Sequence, residues 1–195
     1  MNARRQLSGG WVQVIAGCMF SGKTDEMVRL LRRAEIAGRR VLLIRPTLDD
    51  RTAAEEVRSR SGATFRSRLI KDASEIPALV RMSGADIIAI EEAQFLGPEI
   101  VAVVEELANA GRQIVLTGLD LDFLARPFGP MPQLLAVADE VNKLTAICTV
   151  CGDEATRSQR LVGDRPAGAD DPLVVIGGLD DDRYEARCRT HHQLG

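Results

Sequence analysis

Gly17, Cys18, Met19, Phe20, Ser21, Gly22, Lys23 and Thr24 spell G-x-x-x-x-G-K-[ST], the spacing of a phosphate-binding loop. Glycines let such a backbone turn tightly, so that successive N–H groups face one anion. The helix that must follow adds unpaired donors and a partial positive charge. Lys23 is placed to reach the β- and γ-phosphates, and the Thr24 hydroxyl to ligate magnesium. The motif needs a strand before it and a helix after it. Both are written in the chain: an apolar run at 11–16 precedes the loop, and Met27, Leu30, Leu31 and Ala34 recur after it at helical spacing. The reading predicts binding of a nucleoside triphosphate.

A second chemistry-bearing pair follows the apolar run 87–90, where Glu91 and Glu92 lead into Ala93, Gln94 and Phe95. Carboxylates at a buried strand end need a cation or a proton, because desolvation disfavours the charge. In phosphate-loop enzymes one acid there holds Mg²⁺ and a neighbour handles the nucleophile. The pair therefore predicts hydrolysis or phosphoryl transfer, without naming the acceptor.

A third constellation is metal-binding. Cys148 and Cys151 form a C-x₂-C knuckle, and after 36 intervening residues Cys188 and His191 form a C-x₂-H knuckle. Three thiolates and an imidazole complete a tetrahedral Zn²⁺ shell with no open position, which is structural rather than catalytic. His191 and His192 are the chain's only histidines; the two-residue gap from Cys188 favours His191. Cys18 stands apart from this set and is read as a small hydrophobe lining the phosphate pocket.

Elements that position these groups are legible in outline. Strand-like runs at 12–16, 41–44, 87–90 and 114–117 alternate with helical patterns, one of them at 98–110 with Gly111 closing it. Nearly continuous apolar strands separated by helices indicate an α/β fold, a parallel sheet flanked by helices on both faces. Residues 49–66 are polar and aperiodic; composition leaves open a mobile segment near the nucleotide and a disordered surface loop. From residue 145 the pattern changes to cysteine pairs, a turn-rich stretch at 163–168 and a short strand at 173–176. The expected division is 1–144 for the nucleotide-binding unit and 145–195 for a small metal-anchored unit, whose few apolar side chains need the metal to fold.

Composition excludes several classes. At 195 residues one substantial core and a small appendage can form, and a net charge of −3 gives no general pull toward nucleic acid or anionic lipid. Arg29, Arg32, Arg33, Arg39 and Arg40 read as a solvated helix surface. No run approaches a membrane span, residues 1–9 lack the apolar core of a signal peptide, and the cysteines without a secretory signal read as reduced thiols or metal ligands. These features predict a cytoplasmic protein.

Taken together, the residues resemble the zinc-bearing, phosphate-loop type of thymidine kinase. The resemblance is carried by the Met19-Phe20-Ser21 variant of the loop, by Asp49, Asp50 and Arg51, and by Glu91 through Phe95. Gly118, Leu119 and Asp120, then Arg126 through Gly129, Lys143 through Cys148, Val175 through Gly178 and the two metal knuckles extend it along nearly the whole chain. It implies transfer of the ATP γ-phosphoryl group to the thymidine 5′-hydroxyl, a salvage reaction. Lys23, Glu92 and Arg51 are the implied catalytic residues, with Glu92 as proton acceptor and Arg51 near the transferring phosphates. Glu91, Glu92, Ala93 and Gln94 join residues 17–24 at the ATP site, with Thr24 and Glu91 on the magnesium side. Glu91 occupies a position where aspartate is usual, one methylene shorter.

The resemblance also implies a pyrimidine wall of Phe95, Phe123 and Phe128, a closing segment of Leu173, Val174, Val175, Ile176 and Gly177, and a sugar contact from Tyr184. The stretch from Leu179 to Arg183 before that tyrosine is longer than is usual. A homotetramer and feedback by thymidine triphosphate are further implications. Two alternatives remain at this level: a zinc-containing phosphate-loop ATPase acting with nucleic acid, and a non-catalytic nucleotide-binding regulator. Against the first, residues 145–195 are not strongly basic and hold one aromatic, Tyr184.

Overall fold

The computed structural model describes residues 9–47, 56–58, 64–173 and 182–195. Seven strands among the described residues build the central layer, β1 (Trp11–Gly17), β2 (Val41–Pro46), β3 (Glu56–Arg58), β4 (Thr64–Ile70), β5 (Ile87–Ile90), β6 (Gln113–Gly118) and β7 (Glu140–Leu144), and helices α1 (Lys23–Ile36) and α3 (Ile100–Asn109) pack on its opposite faces. Helices α2 (Ile76–Ser83) and α4 (Met131–Val137) complete the covering layers. The strands lie in the order β3-β4-β2-β5-β6-β1-β7. Every pairing is parallel except that of β3 with β4.

Alternation along each strand divides the core in two. Val12, Val14, Leu42, Ile44, Ile88 and Ile90 face the side covered by α2, α3 and α4. Ile15, Leu43, Ile87, Ala89 and Val115 face Met27, Val28 and Leu31 of α1. Side chains of successive strand residues point to opposite faces, so both faces must be apolar when helices cover both. This is the α/β architecture expected from the sequence.

One expectation is corrected. The composition of residues 49–66 points to a mobile segment or a disordered surface loop, whereas 56–58 and 64–70 are strands, and β4 pairs with β2 through Leu43↔Ser67 to Pro46↔Ile70. Arg66 and Arg68 are exposed while Ser67 and Ile70 are buried, so the strand's apolar signal is diluted by arginines. Arg29, Arg32, Arg33, Arg39 and Arg40 are exposed, as expected, with Arg29 paired to Glu26 and Arg40 to Asp86.

Beyond β7 the chain forms a two-stranded pairing of β8 (Ala146–Ile147) with β9 (Glu154–Ala155), and an antiparallel three-stranded sheet in the order β11-β10-β12. Its strands are β10 (Arg157–Val162), β11 (Arg165–Pro166) and β12 (Asp182–Arg187). The strand expected at 173–176 falls outside the described residues except for Leu173, which is exposed and lies in no strand. Among the described residues no helix is long and apolar enough to cross a membrane.

Candidate active site and metal centre

The phosphate loop hangs from the carboxyl end of β1, a central strand between β6 and β7. Gly17 has no alternative here: a Cβ would lie 2.4 Å from the Leu144 carbonyl oxygen and 2.8 Å from Ser21 Oγ. Gly22 takes φ 84°, in the left-handed region, as the loop turns into α1. Ser21 Oγ and Lys23 Nζ both donate to the Cys18 carbonyl, at 2.8 and 2.9 Å. Burial draws the Lys23 ammonium below its ordinary lysine value, while the negative charge of Glu92 and, more weakly, of Asp120 and Glu91 opposes the fall. The loop, the acidic pair and Asp120 therefore act on one ammonium.

Glu91 is buried at 5% exposure at the end of β5. Its two oxygens are separately held: Oε1 accepts from Thr24 Oγ1 at 2.8 Å and Oε2 faces Arg45 Nε at 3.0 Å. Burial raises its carboxyl above the usual value, with the Thr24 hydrogen bond and the Arg45 charge acting the other way. Glu92 turns out of the strand with φ 56°, ψ 42°. Its carboxylate accepts from Gln94 Nε2, whose partner oxygen accepts from the Leu119 N–H at 3.1 Å. Gln94 thus ties the end of β5 to the end of β6. Gly129 permits this packing: a Cβ there would sit 2.3 Å from the Gln94 carbonyl oxygen.

Phe95 and Phe128 meet edge to face, with ring centres 5.5 Å apart. Phe123 is buried in the same connection after β6, under the guanidinium of Arg160. Tyr184, half-buried, lies on β12 opposite Arg160. Arg51, Val174, Val175, Ile176 and Gly177 lie outside the described residues.

Cys18 is placed differently from the expectation. It is 2% exposed, packs with Ala146, Cys148, Ala155 and Ala186, and its Sγ donates to the Ala155 carbonyl at 3.3 Å. The side chain belongs to the core under the second unit rather than to a pocket wall. Met19 N–H reaches Ser158 Oγ of β10 at 3.0 Å, so the smaller unit buttresses the loop.

Cys148, Cys151, Cys188 and His191 bring their donor atoms within 4.8 Å of one another. Cys151 Sγ and Cys188 Sγ are 3.8 Å apart, the edge of a tetrahedron with metal–sulfur bonds of about 2.3 Å. His191 Nδ1 lies 3.2 Å from Cys188 Sγ and 3.9 Å from Cys148 Sγ, bracketing the sulfur–nitrogen edge of about 3.5 Å. Burial works against ionisation of Cys148, yet hydrogen bonds from the backbone at Cys188, Cys151 and Val150 bring its thiol down to about 6. Cys151, although a backbone hydrogen bond at Asp153 favours its thiolate, is pushed up to about 11 by burial and by its bonds to Cys148 and Cys188. One thiolate is favoured by the protein alone; three together need a cation, and the donor set fits zinc. His192 is not among the converging donors; its Nε2 sits 2.9 Å from the Phe123 carbonyl oxygen instead.

Sequence reasoning gave no role to Arg45 or to Lys143, whose Nζ pairs with Asp120 Oδ2 at 2.8 Å. The signal for Arg45 is positional: Ile44 pairs with Ile90, so the next residue of β2 flanks Glu91. That becomes visible once β2 and β5 are known to be neighbours.

The family model described as "Thymidine kinase" matches residues 10–192. Curated relatives named thymidine kinase include that of Coprothermobacter proteolyticus, 49% identical over 185 residues that cover 95% of this chain and 91% of the relative. That of Deinococcus radiodurans is 49% identical over 199 aligned residues, covering 97% and 93%. That of Deinococcus deserti is 50% identical over 194, covering 95% of each.

Proposed function

The chain belongs to the thymidine kinase family, and we infer that it phosphorylates thymidine at the 5′-hydroxyl with ATP, giving thymidine monophosphate and ADP. The observation that carries this reading is the family match from residue 10 to residue 192. In its support, the acidic pair Glu91 and Glu92 acts electrostatically on the phosphate-loop lysine, Lys23. In the reaction the thymidine O5′ attacks the γ-phosphorus, the bond from that phosphorus to the bridging oxygen of ADP breaks, and the hydroxyl proton passes to Glu92. Gln94 holds the Glu92 carboxylate, and a base so oriented contributes through geometry as well as basicity.

Residues 17–24 cradle the polyphosphate, with Lys23 drawn to its β/γ oxygens. Thr24 and Glu91 are the residues that would hold Mg²⁺, which supplies charge neutralisation on the phosphate oxygens. Arg45 sets the Glu91 side chain for that task. The resemblance assigns Arg51 to the charge that develops on the transferring group. Phe95, Phe123 and Phe128 form the base wall, Tyr184 contacts the sugar, and residues 173–177 close over the nucleoside. Cys148, Cys151, Cys188 and His191 would hold structural zinc at the foot of residues 152–187. Assembly as a homotetramer, feedback by thymidine triphosphate and a cytoplasmic setting belong to the same reading. No observation favours a nucleic-acid-directed ATPase.

The test is ATP consumption with thymidine, with single-stranded DNA, and with neither. Thymidine-dependent ADP release matched by thymidine monophosphate, and unaffected by DNA, is expected. DNA-stimulated hydrolysis with no nucleotide product would overturn the reading.

A further inference from the structure

Arg160 is the most deeply buried charged side chain among the described residues, at 1% exposure. It sits in the middle of β10, with its Cζ 5.3 Å from the centre of the Phe123 ring. Its Nη1 donates to the carbonyl of Pro172, the residue before Leu173. Across the antiparallel pair its register partner is Tyr184. The guanidinium therefore joins Phe123 to the backbone just before Leu173, and Arg160 stands opposite Tyr184 in the strand pairing.

Packing alone does not call for arginine. Removing a guanidinium from water is costly, and an apolar residue of similar volume often serves stability as well or better. A planar group can stack on an aromatic face while donating in its own plane, which no hydrophobe does and lysine does poorly. The surroundings hold both partners in place. The Phe123 carbonyl is fixed by His192 at 2.9 Å. Next to Pro172, Asp171 is gripped by both terminal nitrogens of Arg165, at 2.9 and 3.0 Å, and by the Gly168 N–H at 2.9 Å. The Asp171 carboxylate also feels the Arg160 charge and so compensates part of its burial.

We propose that Arg160 is a positioning residue for thymidine: it fixes the Phe123 ring, the backbone at Pro172 and the strand carrying Tyr184 as one rigid wall. The inference rests on the reading that Phe123, Leu173 and Tyr184 line the nucleoside site. Arg160 itself touches neither the nucleotide nor the reacting atoms.

Steady-state kinetics on Arg160→Met, Arg160→Lys, Phe123→Leu and the Arg160→Met/Phe123→Leu pair test it. Losing a stacked cation and the hydrogen bond to Pro172 should raise the thymidine KM about tenfold in Arg160→Met. The kcat and ATP KM should stay within about twofold, with Arg160→Lys about threefold up in thymidine KM. In the Phe123→Leu background the Arg160→Met change should add less than about threefold, because the shared partner is gone. Fully multiplicative effects, or an ATP KM rising as much as that for thymidine, would overturn the proposal. Where Arg160→Met yields no folded protein, judged by binding of a non-hydrolysable ATP analogue, Arg160→Lys decides alone: an unchanged thymidine KM refutes it. A wild-type protein inert toward thymidine sinks the functional reading and this inference with it, whereas normal wild-type turnover with an indifferent Arg160→Lys sinks only the inference.

Discussion

Glu92 holds a left-handed backbone conformation at φ 56°, a cost of about 1–3 kcal/mol for a residue with a side chain. The strain turns the carboxylate out of the line of β5, away from the path of Glu91, and Gln94 then holds it. Two adjacent acids are thereby given different surroundings. Glu92→Gln keeps shape and removes the proposed proton acceptor, so kcat should fall by roughly 10²–10⁴ while ATP binding by calorimetry is retained. Near-normal turnover would take Glu92 out of the mechanism. Glu91 answers a different measurement. Burial raises its folded pKa, against the Thr24 bond and the Arg45 charge. A carboxyl raised on folding gives stability that is fully present below its unfolded pKa and lost as pH rises through the folded value. Glu91→Gln removes that loss. Without magnesium or nucleotide, Tm of Glu91→Gln minus Tm of the wild type should therefore become more positive from about pH 4 to about pH 8. A difference that stays flat would mean that Thr24 and Arg45 cancel the burial cost.

At the scale of elements, what was legible is what local periodicity encodes. The buried parallel strands β1, β2, β5 and β6 read as apolar runs, and α3 starts two residues later than expected and ends one earlier. β4 was hidden because Arg66 and Arg68 alternate with its packed residues, and α2 because eight residues give barely two turns of pattern. β7 is an edge strand whose burial alternates between half-buried and exposed, so it carries no apolar run either. The site divides along the same line. Groups contiguous in sequence, such as residues 17–24, the Glu91–Glu92 pair and each metal knuckle, were found from spacing. Contacts made by strand order were not: Arg45 on Glu91 needs β2 beside β5, and Arg160 on Phe123 needs β10 folded back over the connection after β6. His192 against Phe123 shows why the ligand question stayed open in sequence, since the choice between adjacent histidines depends on what the other one meets.

For the whole molecule the question is how far the small C-terminal unit is coupled to the phosphate loop. Bonds among the described residues cross at Met19 N–H to Ser158 Oγ, at Cys18 Sγ to the Ala155 carbonyl, and between the Ala146 backbone and Cys18. The loop's other described hydrogen bonds run through Ser21 and Lys23 to Cys18 and through Thr24 to Glu91 after β5, and it is continuous with β1 and α1. The nucleoside wall proposed above would depend more heavily on the small unit, because Phe123 is held by His192 and Arg160 and Tyr184 lies within β12. A metal bound by Cys148, Cys151, Cys188 and His191 ties both ends of residues 152–187, and the few described buried apolar residues there, Ala155, Leu161, Ala167 and Ala186, give little core to replace it. Cys151→Ser should therefore lose the metal, measured by elemental analysis, and raise the thymidine KM by tenfold or more. One net hydrogen bond is worth about 1 kcal/mol, so disturbing the Met19 contact should weaken ATP binding by no more than roughly fivefold. Equal loss of both ligands would mean that the metal supports the entire fold and not the nucleoside side of the pocket.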